Sequence, residues 1–337
     1  MTLHFESEGI EAPADLSGGL AEGDGVVSKS PMRLAMGRFR RDKLSMVSLV
    51  VVLLVIIAAV AAPILVKFGV LDPYTYHNTG KDNLLDEFTL PKGSWGGISG
   101  DHWLGVEPQS GRDAMSRFWY GITFSLTIAL LASAFAVALG TVLGIIAGFS
   151  RGWVDAIIGR LIDLTLSFPQ TLMLLALAAI GLEVVKKVTP LEGPAAEAGY
   201  AIAVLGIFGW PPTARVIRGQ VLSIREREFV DAAILLGASK PRLYFREILP
   251  NLWAPILVLF TLSMPAYVSA EAALSYLGVS VKPPTPTLGN VLRDSLQYAT
   301  ADPVYFFVPA ILIAVIVISF NLLGDGLRDA LDPKGNR

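Results

Sequence analysis

Long apolar segments are the feature of this sequence that most constrains its fold. Hydrophobic residues make up 53% of the 337-residue chain and charged residues only 17%. A helix needs roughly 20 mostly apolar residues to cross the hydrocarbon core of a bilayer. The sequence therefore predicts an all-α polytopic membrane protein with six transmembrane helices. The six apolar segments are Leu44–Val66, Phe124–Phe149, Ala156–Leu182, Tyr200–Val216, Leu252–Leu277 and Val304–Leu323.

The distribution of basic residues predicts the orientation of these spans. The fourth segment is the weakest, because Pro211-Pro212 interrupts it. Counting it as a span places the basic residues of 33–43, 215–246 and 328–337 on one side of the membrane. Cytoplasmic segments carry an excess of Lys and Arg. We therefore expect a multi-pass membrane protein with both termini in the cytoplasm.

The spans divide the chain into five parts. They are an acidic, disordered cytoplasmic tail at 1–32, a basic box with the first transmembrane helix at 33–67, an extracytoplasmic loop at 68–118, a five-helix core at 119–333 that contains a cytoplasmic loop at 217–250, and a short cytoplasmic tail at 334–337. The tail at 1–32 is expected to be disordered because it lacks hydrophobic periodicity.

The first apolar segment could instead be a signal peptide, because Ala59-Val60-Ala61 resembles a cleavage site. The polar segment before it is much longer than the n-region of a usual signal peptide. We therefore expect an uncleaved first span.

Several classes of chemistry lack support in this sequence. The chain has no cysteine, and His4, His77 and His102 lie far apart along it, so we expect no metal site. Gly80-Lys81 lacks the earlier glycine of a phosphate-binding loop. The net charge of −2 gives no indication of a nucleic-acid partner. If the chain takes part in ATP-driven transport, another polypeptide must hydrolyse the ATP.

Small residues recur every fourth position in the second span. On a helix they form one groove, in which a second helix can pack closely. The groove could face a translocation path, but ordinary helix packing is the more common role. The residues that we assign to helix packing are Ala136, Gly140, Gly144 and Gly148.

Charged residues within apolar segments are costly and therefore informative. Arg160 and Asp163 are one helical turn apart, and this spacing favours an ion pair between them rather than a proton relay. Glu271 lies near the end of the fifth segment. We expect this lone carboxylate to act in packing or gating.

The segment between the fourth and fifth spans is charged and rich in helix-forming residues. Its first half, Glu226–Leu236, is expected to form a helix that ends at Gly237. Ser239 could cap a second short helix, with Pro241 in its first turn. The two helices could form a compact knob or lie as an amphipathic hairpin on the membrane surface, and the residues alone favour neither.

From about residue 31 onward, the chain resembles the second, C-type permease of dipeptide and oligopeptide ABC importers. The resemblance rests on an ordered series of motifs. They are Arg38-Phe39-Arg40-Arg41-Asp42-Lys43, His102-Trp103-Leu104-Gly105, Gly111-Arg112-Asp113-Ala114, Ala214-Arg215-Val216-Ile217-Arg218, Glu271-Ala272-Ala273-Leu274-Ser275, Pro283-Pro284 and Gly324-Asp325-Gly326-Leu327-Arg328-Asp329.

The segment at 226–250 resembles the EAA loop of that family, which docks onto the ATPase. The residues that match this motif, and so are expected to couple the permease to the ATPase, are Asp231, Ala232, Ala233, Gly237, Ala238, Ser239, Ile248, Leu249 and Pro250. Asp231 stands where the family usually has Glu, which preserves the charge.

The resemblance implies a type I ABC-importer permease core preceded by a peripheral first helix. It places the chain in the bacterial inner membrane. It also implies four partner chains: a homologous second permease, two ABC ATPases and an extracytoplasmic substrate-binding protein. The chain would bind no cofactor, with ATP and Mg on the ATPases. Its cargo would be di- and oligopeptides, carried by alternating access.

Three alternatives remain open at this point. The first is the same type of importer with another cargo, such as nickel chelates, glutathione or cationic peptides. The second is a membrane scaffold that recruits a cytosolic partner without transport. The third is a membrane enzyme, which the absence of clustered His, Cys or paired carboxylates in the spans argues against.

Overall fold

The structure is a computed structural model that describes residues 31–80, 83–150 and 152–331. Most of both predicted tails therefore lies outside the described residues. Eleven α-helices form the described part of the chain. They are α1 (Pro31–Arg41), α2 (Lys43–Lys67), α3 (Ala114–Phe149), α4 (Trp153–Ser167), α5 (Gln170–Val188), α6 (Gly193–Ile224), α7 (Glu228–Leu235), α8 (Lys240–Arg242), α9 (Trp253–Tyr276), α10 (Leu288–Ser295) and α11 (Pro303–Leu331).

Among the described residues, five helices are long and apolar enough to cross a bilayer: α2, α3, α6, α9 and α11. The remaining predicted span is bent, because the axes of α4 and the first part of α5 differ by 88°. A proline disfavours the helical conformation of the residue before it. Phe168, which precedes Pro169, is accordingly extended, with φ −96° and ψ 137°. The single span expected at Ala156–Leu182 is therefore two helices that meet at nearly a right angle.

Helices α6 and α3 are much longer than the segments predicted for them. Helix α6 continues for 32 residues through Pro211 and Pro212, where we expected an interruption. Proline is tolerated in membrane helices when neighbouring groups pair the freed carbonyls. Helix α3 has 36 residues, or about 54 Å at 1.5 Å per residue, and so exceeds the roughly 30 Å of the hydrocarbon core.

The basic box forms a helix of its own instead of extending the first span. Asp42 separates α1 from α2 and is the N-cap of α2. Its carboxylate accepts hydrogen bonds of 3.2 Å from the backbone N–H groups of Leu44 and Ser45. Helix α1 packs against α11, and α2 packs against α3 and α11. The first helical segment thus lies at the edge of the bundle.

Helices α3 and α6 form the most extensive helix pair of the bundle. Gly140, Gly144 and Gly148 of α3 all face α6. A methyl group added at any of them would come within 2.7–2.8 Å of α6, including carbonyl oxygens of its backbone. The absence of side chains at these three positions therefore sets the distance between the two helices. Ala136, one turn earlier, is buried in the same core.

The bundle has two distinct ends, which we name after the short helices that they carry. The α7 end holds α7, α8 and the irregular turns that follow, and the α10 end holds the segment 68–113 and α10. Arg117, which is fully buried in the first turn of α3, joins the parts of the α10 end. Its guanidinium lies 3.3 Å from Glu107 and donates to the carbonyl of Pro284 at 3.1 Å.

Glu107 is the centre of this buried network. Its carboxylate accepts hydrogen bonds from Arg112 at 2.6 Å, from Ser110 at 2.5 Å and from the hydroxyl of Tyr305 at 2.6 Å. Burial alone would raise the pKa of Glu107, but attraction to Arg117 and Arg112, together with these hydrogen bonds, holds the pKa below its usual value. The network ties the segment 68–113 to the starts of α3 and α11.

We predict that Gly144→Val destabilises the protein by about 1–3 kcal/mol, the usual cost of overfilling a packed core. The added carbon atoms would collide with the carbonyl of Ala214 and the side chain of Ile217. Thermal unfolding in detergent measures the effect. Gly219→Ala on α6 is the matched control, because nothing lies within 4 Å of that position, and its unfolding temperature should stay the same or rise slightly. Equal unfolding temperatures for Gly144→Val and the wild type would contradict the assignment.

We predict that Glu107→Gln costs about 3 kcal/mol, the lower end of the range for breaking a buried ion pair. The change removes the carboxylate that pairs with Arg112 and Arg117, while Asp294 still attracts both. Since the folded pKa of Glu107 is lowered, its contribution is present above the unfolded pKa and is lost as the pH falls through the folded pKa. The wild type should therefore lose stability below about pH 4, and this loss should be smaller in the variant. Glu87→Gln, at an exposed position, should change neither stability nor its pH profile.

Candidate functional site

The α7 end carries a compact helical knob, which comprises residues 226–250. Helix α7 ends in a Schellman motif: the N–H of Gly237 donates to the carbonyl of Ile234 at 2.9 Å, and the N–H of Ala238 donates to that of Ala233 at 3.0 Å. Gly237 has φ +78°, a conformation that glycine adopts at little cost and β-branched residues rarely adopt. The chain therefore turns sharply at Gly237, the residue at which the first helix of this segment was predicted to end. We call this turn the elbow.

The second half of the knob is less regular than expected. Ser239 occupies the N-cap position of α8, but its side chain makes no capping hydrogen bond. After the three residues of α8, the chain continues as a π-helical turn at Leu243–Ile248 and a 3-10 turn at Leu249–Asn251. Pro250 explains part of this change, because it has no N–H to continue the helical ladder. The single capped helix that we expected after Gly237 is therefore not formed.

The inner side of the knob is anchored to the bundle by apolar packing. Ile248 and Leu252 are fully buried in a cluster with Ile145 of α3 and Ile217 of α6. The rings of Phe149 and Tyr244 meet edge to face, with their centroids 5.3 Å apart. A displacement of the knob must therefore act on the ends of α3 and α6.

A hydrogen bond adds to this attachment. The guanidinium of Arg225, just after α6, donates to the carbonyl of Gly148 in the last turn of α3 at 2.9 Å. This contact pairs an otherwise open carbonyl at the end of the helix and places a positive charge where the helix dipole favours it.

The outer side of the knob exposes large apolar side chains. Leu235 and Leu236 are 87% and 89% exposed, at the tip next to Gly237. Phe229, Ile234 and Phe245 are 42–58% exposed. Single exposed apolar residues are normal, but a cluster on one protruding surface is typical of an interaction site. None of these five residues was among those predicted to couple the chain to an ATPase. Their apolar character, beside a glycine in an otherwise charged segment, is a feature of the sequence that could have identified them.

The residues assigned to coupling differ in burial and fall into three groups. Those on the surface of the knob are Asp231, Ala232, Gly237, Ser239 and Pro250, and those that are half-buried are Ala233, Ala238 and Leu249. Ile248 is fully buried and belongs to the anchor. The motif thus contains both an exposed surface and the apolar contact that fixes it.

Ion pairs join α4 to α6 near the same end of the bundle. Arg218 binds the carboxylate of Asp155 through two hydrogen bonds of 2.6 and 2.8 Å. Asp163 pairs with Arg215 of α6 at 2.7 Å, and not with Arg160 of its own helix as its spacing suggested. An interhelical partner fixes α4 against α6, which a pair within one helix would not do.

A cavity of about 500 Å³ opens between α4, α5, α6 and α9. Its lining contains no charged side chain. The polar groups in the lining are Thr165, Gln170, Thr213, Ser263 and Tyr267. Such a surface can hold polar, neutral parts of a molecule without selecting for one sign of charge.

Two histidines lie closer together than their sequence separation suggested. The rings of His77 and His102 are 5.7 Å apart between centroids, and Nδ1 of His102 lies 2.9 Å from a carboxylate oxygen of Asp113. Within the described ranges, no group of three or more His, Asp or Glu side chains is arranged to hold a metal ion.

Comparison with known proteins shows two family matches. Residues 140–337 match the family described as the binding-protein-dependent transport system inner membrane component. Residues 30–87 match the N-terminal transmembrane domain of oligopeptide transport permease C. Together these matches cover the first helices and most of the bundle.

Similar proteins match almost the whole chain. The oligopeptide transport system permease protein OppC of Bacillus subtilis (strain 168) is 37% identical over 96% of this chain and 96% of its own length. The dipeptide permease DppC of Alkalihalophilus pseudofirmus is 36% identical over 92% of both chains. The glutathione transport system permease GsiD of Shigella flexneri serotype 5b is 35% identical over 91% of both chains.

The fold is also similar to that of a solved transporter. A chain of the MetNI methionine ABC transporter in an inward-facing conformation matches with a TM-score of 0.51 and 17% identity, over 65% of this chain and 97% of that chain. This likeness concerns the fold alone. It confirms the type I ABC-importer permease core expected from the sequence.

Proposed function

Because this chain belongs to the family of binding-protein-dependent transport system inner membrane components, we propose that it is the permease subunit of an ATP-driven importer of di- and oligopeptides. The family match is the observation that favours an importer over a scaffold, and the exposed apolar tip of the knob supports a docked partner chain. Leu235 and Leu236 form an apolar surface of the kind that marks an interaction site. An ATPase bound to the knob would bury them.

The proposal includes four partner chains. A homologous permease completes the translocation path, two ATPases bind the knobs of the two permeases, and an extracytoplasmic binding protein delivers the cargo. This chain itself is a transport subunit and not an enzyme. ATP and Mg would be bound by the ATPases, since the sequence lacks a phosphate-binding loop of its own.

In this proposal the α7 end faces the cytoplasm and the α10 end faces outward. Basic residues support that orientation, because Arg215, Arg218, Arg225, Arg227 and Lys240 all lie in or next to the knob. An even number of crossings, with α4 and α5 counted as one bent span, then leaves both termini in the cytoplasm.

The attachment of the knob suggests how ATP drives transport. Closure of the ATPase dimer would displace the knob, and its apolar anchor and the bond from Arg225 to Gly148 would pass that displacement to α3 and α6. The bundle would then rock between inward-facing and outward-facing states. ATP can favour one state only if the ATPases hold the knob differently in the two states.

Two observations support peptides as the cargo class. The relatives described above are named for oligopeptide, dipeptide and glutathione transport, and all of these cargoes contain peptide bonds. The uncharged cavity lining could accommodate peptide backbones with side chains of either charge. Selection among peptides would then belong to the binding protein.

Uptake of labelled peptides tests this function. We expect cells that lack the chain to lose uptake of labelled di- and oligopeptides, and cells that regain it to recover uptake. Glutathione and a nickel chelate serve as comparison cargoes. Loss of one of these with peptide uptake unchanged would preserve the importer and refute the peptide cargo. No change for any cargo, in cells without a second peptide importer, would favour the scaffold.

We further predict that Gly237→Val abolishes peptide uptake while the chain remains in the membrane. A β-branched residue is strained at φ +78°, so the elbow must change shape at the docking surface. Gly69→Val is the matched control, because Gly69 has φ +72°, open surroundings and a position at the α10 end. Uptake and membrane abundance are measured together. Normal uptake with Gly237→Val at wild-type abundance would refute the role of the elbow in coupling.

A further inference from the structure

Glu271 has a buried carboxyl group and belongs to α9, one of the helices long enough to span a membrane. It lies in the last turns of α9, and its side chain is 0% exposed. The polar groups that face it are the hydroxyls of Ser125, Ser275, Ser280 and Thr287, with no Lys or Arg among them. An ionisable group in such surroundings is costly to keep, so its presence calls for a role.

The hydroxyl groups form a directed relay that ends at Glu271. The backbone N–H of Asn290 donates to Oγ1 of Thr287 at 3.1 Å, Thr287 donates to Oγ of Ser275 at 3.0 Å, and Ser275 donates to Oε1 of Glu271 at 2.7 Å. Ser275 has a single hydroxyl proton and donates it to Oε1 of Glu271, so it must accept the proton of Thr287. Glu271 is therefore the terminal acceptor.

The relay starts at the capping box of α10. Thr287 and Asn290 cap that helix reciprocally, with the N–H of Thr287 donating to Oδ1 of Asn290 at 2.9 Å. The side-chain amide of Asn290 also donates to the carbonyls of Val281 and Thr285. The segment between α9 and α10 is thus held by the same residues that pass hydrogen bonds to Glu271.

The helices around the relay are packed too closely to shift independently. Gly289 of α10 lies against the backbone of Ala272, where an added methyl group would come within 2.5 Å of the carbonyl oxygen. The N–H of Leu288 donates to Oγ of Ser125 on α3 at 3.1 Å. Glu271 therefore stands where α3, α9 and α10 meet.

Glu271 also adjoins the cavity. Ala270, its neighbour in α9, and Tyr267, one turn earlier, both line the cavity, while Glu271 points away from it towards α10. The relay thus fixes the C-terminal end of α9, and α9 forms one wall of the cavity.

We propose that Glu271 is a positioning residue, which holds the cavity wall of α9 in register with α10 and α3 by accepting the relay at Oε1. The role in transport rests on the proposed function, but the structural role does not. It requires an acceptor and not a negative charge, because Oε2 has no hydrogen-bond partner among the described residues and none of the groups found to face the carboxyl there is basic. Glutamine can take this role in part, since it retains an acceptor oxygen.

A thiol probe tests the relay directly. The full-length chain has no cysteine, so Val291→Cys introduces a single thiol at a fully buried position of α10. We would measure its rate of reaction with a maleimide in the purified transporter, beside peptide uptake in cells. Glu271→Leu keeps the volume but removes the acceptor. It should raise the reaction rate about tenfold, the factor expected from losing a buried hydrogen bond worth about 1.4 kcal/mol, and should reduce uptake.

Further variants separate the relay from general destabilisation. Glu271→Gln keeps an acceptor oxygen but places an amide NH2 group where Oε2 has no partner, so it should raise the rate and reduce uptake less than Glu271→Leu does. Ser275→Ala should raise the rate as Glu271→Leu does, and the two changes together should raise it no further, because they break the same chain of bonds. Ser269→Ala, which removes a hydroxyl of α9 bonded only to the carbonyl of Pro265, is the control and should change nothing.

Two results would overturn the proposal. If Glu271→Gln reacts as fast as Glu271→Leu, retaining the acceptor oxygen makes no difference and the acceptor role is wrong. If Ser275→Ala and Glu271→Leu raise the rate by factors that multiply, the contacts are independent and no relay exists. Should Glu271→Leu fail to insert, Ser275→Ala provides the same comparison with Glu271→Gln. The thiol reaction needs no transport, so it remains decisive if peptides prove not to be the cargo.

Discussion

The close approach of α3 and α6 is the constraint on which the other parts of the bundle depend. Because Gly140, Gly144 and Gly148 present no side chains, the backbones of the two helices meet along most of the α7 half of the bundle. Lipid gives apolar side chains little reason to associate, so close van der Waals packing must hold such a pair together. Helices α4, α9 and α2 then pack against α3, α6 or both.

The two ends of the bundle are stabilised by different interactions, and this difference matches their proposed roles. At the α10 end, Glu107 and Arg117 form a buried polar network, which tolerates little distortion because each member depends on the others. At the α7 end, apolar side chains attach the knob, and its outer surface remains open. Apolar contacts are less directional, so the knob can shift slightly without losing a specific bond.

The sequence predicted the helical class, five of the six spans and the turn at Gly237, because each follows from local patterns. The bend before Pro169 was also visible in principle, since proline restricts Phe168. Other features depend on residues far apart in the chain. Asp163 pairs with Arg215 of another helix, and the relay to Glu271 starts 19 residues away, at Asn290. Spacing along one helix cannot identify such partners, and the exposure of Leu236 is known only once its surroundings are folded.

The length of α3 has a mechanical consequence. This one helix of 36 residues runs from the buried network around Arg117 to Gly148, beside the knob. A stiff rod about 54 Å long that tilts by about 5° moves one tip by about 5 Å relative to the other. Such leverage would let a displacement at the α7 end reach the α10 end through a single stiff helix. A signal can then cross the bilayer as a change of angle, without any side chain along the way having to switch its rotamer.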